Sequence, residues 1–318
     1  MAPIKFHDAA EVEKLLDYPG CIEAMRQAMT ALSSGERPQP LRQIWPLGNG
    51  ETWGIMPGDL AALSTFGAKL ISVFHDPDGS GRTRHQGVVV AYDGATGAVS
   101  AIADAEPITK IRTACATAAA TDAMARKDCQ VLAVFGTGLQ AQSHLQALPL
   151  VRPFREILLW GQSMERARTV AEQMSRLTGR EIVAVPQGRE AAERADVICT
   201  VSSSEDPILL NEWVKPGTHI NLVGSSYLGP VEVDPPLVAR ARYVADYLPG
   251  VLAQAAELAT ARAAGLIDDS HVLGEIGDVF AGRLVAREND EQVTIYKSLG
   301  HVAQDLAAVA YLNERSIS

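Results

Sequence analysis

Two sets of residues in this 318-residue chain have types and spacing that could do chemistry. The first is the run VLAVFGTGLQA at 131–141. Apolar strand-type residues lead straight into a glycine-rich turn, and a helical pattern follows. A dinucleotide pyrophosphate requires that order. Gly136 permits the tight turn, Gly138 has no side chain to block the phosphates, and Ala141 lets the helix approach the sheet with its N-terminus toward the negative charge. The spacing alone also recurs in ordinary strand-to-helix turns. Its place between a strand and a helix favours nucleotide binding.

The second set is three cations. Lys69 lies inside an apolar strand run, Arg112 in the otherwise uncharged helical stretch IRTACATA at 111–118, and Arg42 just before Ile44 and Trp45. A cation on a buried face is costly unless an anion meets it. Converging on one cleft, the three would clamp a carboxylate, each arginine binding it through two donors. The alternative is that each pairs with a structural Asp or Glu, and the sequence alone leaves that open.

The strand after the glycine turn, EILLW at 156–160, ends in Gly161, Gln162 and Ser163. An Asp or Glu normally stands there, about 20 residues beyond the glycines, to bind the adenosine ribose hydroxyls. Here the place is neutral, and Arg166 and Arg168 follow on the next helix. A neutral pocket beside an unopposed arginine suits a 2′-phosphate, which points to NADPH over NADH. The alternative is that both arginines simply solvate an exposed helix face.

The elements that must hold these residues form two patterns. Helical periodicity at 15–32, closed by Gly35, is followed by strand-like runs at 43–46, 52–56, 68–74, 87–92 and 98–103, with turn clusters at 76–81 and 93–97. This part reads as an α+β domain on a mostly antiparallel sheet. An Ala-rich helix at 109–126 then leads to alternating strands and helices, with strands expected at 131–135, 156–160, 181–185, 196–201, 218–223 and 242–245. That alternation is the mark of a doubly wound parallel sheet. Helical patterns at 249–264 and 296–313 follow, and the C-terminal helix, 300–318, is expected to return to the first domain. The expected division is 1–115 with that helix, against 116–299.

A net charge of −10 and the lack of any basic stripe argue against nucleic-acid binding. No apolar stretch approaches the ~20 residues that span a bilayer, and the N-terminus lacks the apolar core of a signal peptide. Cys21, Cys115, Cys129 and Cys199 stand far apart with no C-x-x-C pair, so neither metal nor disulfide chemistry is expected. A reduced cytoplasm is the expected location.

Five separated pieces occur in an order known from one family: Ala68-Lys69, His85-Gln86-Gly87, Lys110-Ile111-Arg112-Thr113-Ala114, the glycine turn at 135–140, and Tyr296-Lys297-Ser298 with Gly300. On these, nearly the whole chain resembles the ornithine cyclodeaminase/mu-crystallin family. The resemblance implies a Rossmann domain binding NAD(P) and a substrate-binding domain that joins two copies in a homodimer. It makes Arg42, Lys69 and Arg112 a substrate-carboxylate clamp and Met56 a substrate-pocket residue. Gly136, Gly138, Leu139 and Gln140 become the pyrophosphate turn. Ser202 becomes a cofactor contact, Val223 and Gly224 the nicotinamide-side loop, and Ser298 a further contact near the nicotinamide.

Departures from the family pattern decide which activity is expected. Where the cyclodeaminases carry an Asp after the fifth strand, this chain has Ser226, a catalytic candidate that cannot serve as a carboxylate base at neutral pH without a partner. Gly54 stands at the acidic position that would hold a distal ammonium, and Pro230 at a cofactor-binding lysine. The mu-crystallin-like ketimine reductases have a serine in that loop and a Ser-His-Gln segment, which His85 and Gln86 match while Arg84 replaces its serine. The expectation is an NAD(P)H-dependent reductase of imino or ketimine carboxylates. Lys69 is the first candidate to orient or protonate the substrate and His85 the second, with Arg84 either reading a further acidic group or solvating a loop. Three alternatives stay open: an alanine-dehydrogenase-type amino-acid dehydrogenase, a cyclodeaminase, and a non-enzymatic small-molecule binder.

Overall fold

The computed structural model describes residues 3–35, 38–48, 50–74 and 85–316. Arg84 and the turn cluster at 76–81 lie outside these residues, as does the side chain of His85. The chain divides into two compact units, Met1–Arg112 with His301–Ser318, and Thr113–Gly300. The boundary thus falls at Arg112 and Thr113, inside the Ala-rich helix, rather than after residue 115.

In the first unit β1 (Lys5–His7), α1 (Ala9–Leu15) and α2 (Tyr18–Ser33) precede five strands. These are β2 (Gln43–Gly48), β3 (Glu51–Leu60), β4 (Thr65–Val73), β5 (His85–Asp93) and β6 (Val99–Asp104). The six strands form a sheet in the order β1-β6-β5-β4-β3-β2. Only β1 and β6 run parallel among its pairs, with Phe6 opposite Ile102; the rest are antiparallel. The helix expected at 15–32 is α2, which starts at Tyr18: the Asp17 carboxylate accepts the Gly20 N–H at 2.9 Å and Pro19 stands in its first turn, while Leu15 ends α1. The C-terminal helix α11 (Val302–Arg315) packs on α2, β3 and β4, burying Leu306, Val309 and Leu312 on one side.

The second unit begins in α3 (Ala105–Met124), which crosses the division, and alternates strand with helix. Its strands are β7 (Val131–Phe135), β8 (Glu156–Trp160), β9 (Val183–Ala184), β10 (Val197–Thr200), β11 (His219–Leu222), β12 (Arg242–Ala245), β13 (Val272–Glu275) and β14 (Thr294–Lys297). Its further helices are α4 (Leu139–Val151), α5 (Met164–Thr178), α6 (Gly188–Arg194), α7 (Pro235–Arg240), α8 (Leu248–Gln254), α9 (Ala256–Ala263) and α10 (Ile276–Phe280). The sheet order is β13-β12-β14-β11-β10-β7-β8-β9, with every pair parallel. From β7 the chain winds through β8 and β9, then returns to the other side of β7 with β10 and β11. The strand order therefore reverses between β7 and β10, and the crevice at their C-terminal ends is the ligand-binding place of such sheets. Phe135, Leu158, Ile198, Ile220, Tyr243 and Ile295 are fully buried in its core.

The expected helix at 249–264 breaks at Ala255, which caps one helix and starts the next. The helical pattern expected from 296 also needs correction. Tyr296 and Lys297 belong to β14, paired with β11 and β12, and the helix starts at Val302. Central position explains it, because a strand buried on both faces has no alternation to distinguish it.

Candidate active site

In the first unit, sheet register lines up the clamp. Lys69 on β4 stands opposite Met56 on β3, so their side chains leave the same face. Gln43 pairs with Ile55, which puts Arg42, one residue earlier, in line with Met56 when the register is continued. Met56 is 8% exposed and Lys69 and Arg112 each 3%. The carboxylate Oδ1 of Asp305, on α11, accepts from Lys69 Nζ at 3.4 Å and from Arg112 Nε at 3.1 Å. Gln304 Oε1 accepts from Arg112 Nη1 at 2.5 Å. The structure thus brings Lys69 and Arg112 together on one structural carboxylate, and both open alternatives are partly met. One anion is shared by two cations, which leaves positive charge over for a ligand.

Burial pushes the Lys69 ammonium down to about 8, against the raising effect of Asp305, and the charges of Arg112 and Arg42 lower it further. Arg42 is therefore close enough to act on the same group. His301 joins the cluster. Its Nδ1 accepts the Ala303 N–H at 3.1 Å at the start of α11, and burial drops its pKa to about 4, with Asp305 raising it and Arg42 and Arg112 lowering it. The other Asp305 oxygen, Oδ2, is buried with no hydrogen-bond partner among the described residues. His85 opens β5 opposite Val73, whereas Lys69 pairs with Val89. Four residues of strand separate their backbone positions, roughly 13 Å.

In the second unit, Gly136 ends β7 with φ +137°, and a Cβ there would meet the Val201 carbonyl oxygen at 2.8 Å. Glycine is needed at that turn. Gly138 is the opposite case: a Cβ would meet nothing within 4 Å, so the space before α4 is open. Gly138 caps α4 without any side-chain hydrogen bond, which leaves the first helical N–H groups to a ligand. Leu139 is exposed and Gln140 half-buried in that first turn, where the Gln140 carbonyl accepts from His144 Nδ1 at 2.7 Å.

At the end of β8, Gln162 and Arg166 are exposed. Ser163 is also exposed, and its hydroxyl caps α5 by accepting the Arg166 N–H at 3.3 Å. Ser202 and Gly224 follow β10 and β11. Both are held by Glu232, a fully buried carboxylate that the sequence reading passed over. Val223 is buried and donates its N–H to the Thr200 carbonyl at 3.0 Å. Ser226 is half-buried in the loop that follows, beside Ser225, whose carbonyl accepts from Lys297 Nζ at 2.6 Å. Lys297 is fully buried and its Nζ lies 2.9 Å from Glu257 Oε2. Ser298, at the end of β14, has a buried hydroxyl with no hydrogen-bond partner among the described residues. Asp246 takes the next two N–H groups, of Leu299 and Gly300, at 2.7 Å each, which fixes Ser298 in place.

The residues of the second unit fit a dinucleotide: an open glycine, an uncapped helix start at the point of strand-order reversal, and an unsatisfied buried hydroxyl at a neighbouring strand end. The family model for the ornithine cyclodeaminase/mu-crystallin family matches residues 4–318. The chain belongs to this family. The ketimine reductase mu-crystallin of Mus musculus is 31% identical over 271 residues, 85% of this chain and 82% of that relative. Among solved structures, the Δ1-pyrroline-2-carboxylate reductase of Thermococcus litoralis, in complex with NADH and L-proline, is 28% identical with a TM-score of 0.94, over 99% of this chain and 98% of that one. The iminosuccinate reductase of Paracoccus denitrificans, in complex with NAD⁺, is 29% identical with a TM-score of 0.92, over 99% and 96%.

Asp305, Gln304, His301, Glu232 and Glu257 have no local sequence signal, and Lys297 is seen there only as part of a motif. The segment 296–313 shows only a helical pattern in the sequence. Only the fold shows that Gln304 and Asp305 are fully buried.

Proposed function

We propose that this family member is an NAD(P)H-dependent oxidoreductase that reduces a C=N bond beside a carboxylate, turning imino or ketimine acids of the Δ1-pyrroline-2-carboxylate or Δ1-piperideine-2-carboxylate type into L-amino acids. The observation that carries it is the buried pairing of Lys69 and Arg112 on the single carboxylate of Asp305, with Arg42 acting on the same group. A substrate carboxylate supplies the anion this cluster lacks. Arg112 offers donors in a planar fork and Lys69 a point charge, so together they fix both position and orientation. Orientation of this kind can contribute ~7–11 kcal/mol to a barrier.

Bound nicotinamide supplies the hydride for the imine carbon. Gly136, Gly138, Leu139 and Gln140 hold the pyrophosphate, while Ser202, Val223, Gly224 and Ser298 meet the nicotinamide half. Lys69, with its pKa near neutrality, keeps a proton on the substrate nitrogen side of the reaction or gives one up. Met56 lines the substrate pocket, and Ser226 takes the place of a carboxylate that deamination would need. His85 remains a second proton-transfer candidate. The neutral strand end at Gln162 and Ser163, followed by exposed Arg166, supports NADPH over NADH. Two copies of the chain join through their first units.

The test is oxidation of NADPH and NADH by the purified protein with Δ1-pyrroline-2-carboxylate, Δ1-piperideine-2-carboxylate and pyruvate plus ammonium. Turnover of a cyclic imine, with the lower KM for NADPH, supports the reading. Turnover of pyruvate plus ammonium alone points instead to an amino-acid dehydrogenase. A KM for NADH as low as that for NADPH removes the argument from Gln162 and Arg166.

A further inference from the structure

Glu232 carries a function that the clamp and the glycine turn do not explain. It is fully buried, and its two oxygens hold four donors from two different strand ends. Oε1 accepts the Ser202 N–H at 2.7 Å and the Ser202 hydroxyl at 2.8 Å. Oε2 accepts the Thr200 hydroxyl at 2.7 Å and the Gly224 N–H at 2.9 Å. Four donors fill the four acceptor positions of the carboxylate, against the burial that raises its pKa. The two loops are in contact as well: a Cβ on Gly224 would meet the Ser202 carbonyl oxygen at 2.1 Å. Behind them, the Glu232 N–H donates to Glu257 Oε1 at 3.4 Å, and Glu257 pairs with buried Lys297.

We propose that Glu232 is a positioning residue for the nicotinamide half of the cofactor, fixing the loop after β10 and the loop after β11 to each other as one surface. The proposal rests on the reading that Ser202 and Gly224 meet that half. A buried cluster of this cost, in which Glu257 pairs with Lys297 behind Glu232, is more than loop closure requires. Its donors belong to the end of β10 and to the two loops, so the carboxylate acts through them and touches no substrate.

An amide at this position keeps the volume but offers only one acceptor oxygen. Whichever way it turns, its NH₂ faces a backbone N–H, of Ser202 or of Gly224, that cannot become an acceptor. The glycine turn and α4 are untouched. The experiment is calorimetric titration of the full chain and of Glu232→Gln with NADPH and with 2′-phospho-ADP-ribose, which lacks the nicotinamide. The Kd for 2′-phospho-ADP-ribose divided by that for NADPH measures the nicotinamide contribution. The expected result is a ratio about tenfold smaller in the variant, the effect of stranding one buried donor, with the 2′-phospho-ADP-ribose Kd within about twofold of the parent.

Equal weakening of both ligands, or of neither, would overturn the proposal, since a merely structural glutamate moves them together. If the parent itself binds both ligands equally, the loops do not meet the nicotinamide and the proposal fails on that ground. If the parent binds neither, the proposed function fails with it. Should Glu232→Gln not fold, Ser202→Ala removes one donor of the four and is expected to reduce the same ratio about threefold. An unchanged ratio there overturns the proposal equally.

Discussion

Asp305→Asn is the most informative change in the clamp, because one oxygen atom touches both buried cations. The amide keeps an acceptor near Lys69 and Arg112 but removes the negative charge. Lys69 titrates at about 8 in the folded protein, and Asp305 is the group that raises it. Two unit charges 3.4 Å apart interact by about 5 kcal/mol at an effective dielectric near 20. The remaining amide dipole and local relaxation return much of that. A fall of at least about one pKa unit still follows, since each unit corresponds to roughly 1.4 kcal/mol.

The ammonium form is the one that grips the substrate, so kcat/KM should decline as pH rises through the Lys69 pKa. That alkaline limb is expected near 8 in the parent and at about 7 or below in Asp305→Asn. The groups facing Lys69 are Arg42, Arg112 and Asp305, and those facing Asp305 add His301. His301, at about 4, is neutral throughout that range and adds no limb of its own. The assay is kcat/KM for a cyclic imine from about pH 5.5 to about 9.5, parent against variant, so that titration of the substrate itself cancels. An alkaline limb that stays put or moves upward would refute the reasoning.

Arg112→Ala is expected to lower kcat/KM by at least ~10²-fold, through loss of a two-donor carboxylate contact, in steady-state kinetics. Near-parental turnover there would remove Arg112 from the clamp. Gly138→Ala should weaken dinucleotide binding at least about tenfold without moving the thermal midpoint, since the methyl meets only open space. Gly136→Ala should instead lower the midpoint, because its φ of +137° and the Val201 carbonyl leave a methyl nowhere to go. Thermal melts beside NADPH titrations of the two variants check both expectations, and a reversed pattern would contradict the turn assignment. His144, His219 and His301 are buried and depressed to about 4, about 3 and about 4. Each contributes stability that is present above its unfolded value near 6.5 and lost as pH falls toward the folded value, by up to about 1.4 kcal/mol per pH unit. Urea unfolding at about pH 7 and about pH 5 should show that loss, and equal stabilities would contradict it.

The parts legible in the sequence are those fixed by local chemistry. Strands β7, β8 and β12 fall on the expected residues because apolar runs end at glycine turns or charged caps. The turn at Gly136 and Gly138 needs only its own residues to be read. Strand β1 has three residues, too short for any periodic signal, and β9 keeps only two of the five residues expected at 181–185. Strand β14, buried on both faces, shows no alternation and ends in a charge, Lys297. That charge is met by Glu257 and the Ser225 carbonyl, 40 and 72 residues away in the sequence. The clamp shows the same limit. Lys69 and Arg112 stood out because each is a lone cation among apolar residues, while their shared partner lies 236 and 193 residues further along. Long-range partners of buried charges leave no local pattern.

Hydride transfer to the carbon bearing the carboxylate is the central claim, and isotope placement tests it most directly. The purified protein would be incubated with NADPH deuterated at C4 of the nicotinamide and Δ1-pyrroline-2-carboxylate, and the product examined by proton NMR. The account predicts L-proline with deuterium at Cα and one NADPH consumed for each product formed. Proline without deuterium at Cα, or ammonia released from ornithine with no net loss of NADPH, would contradict it.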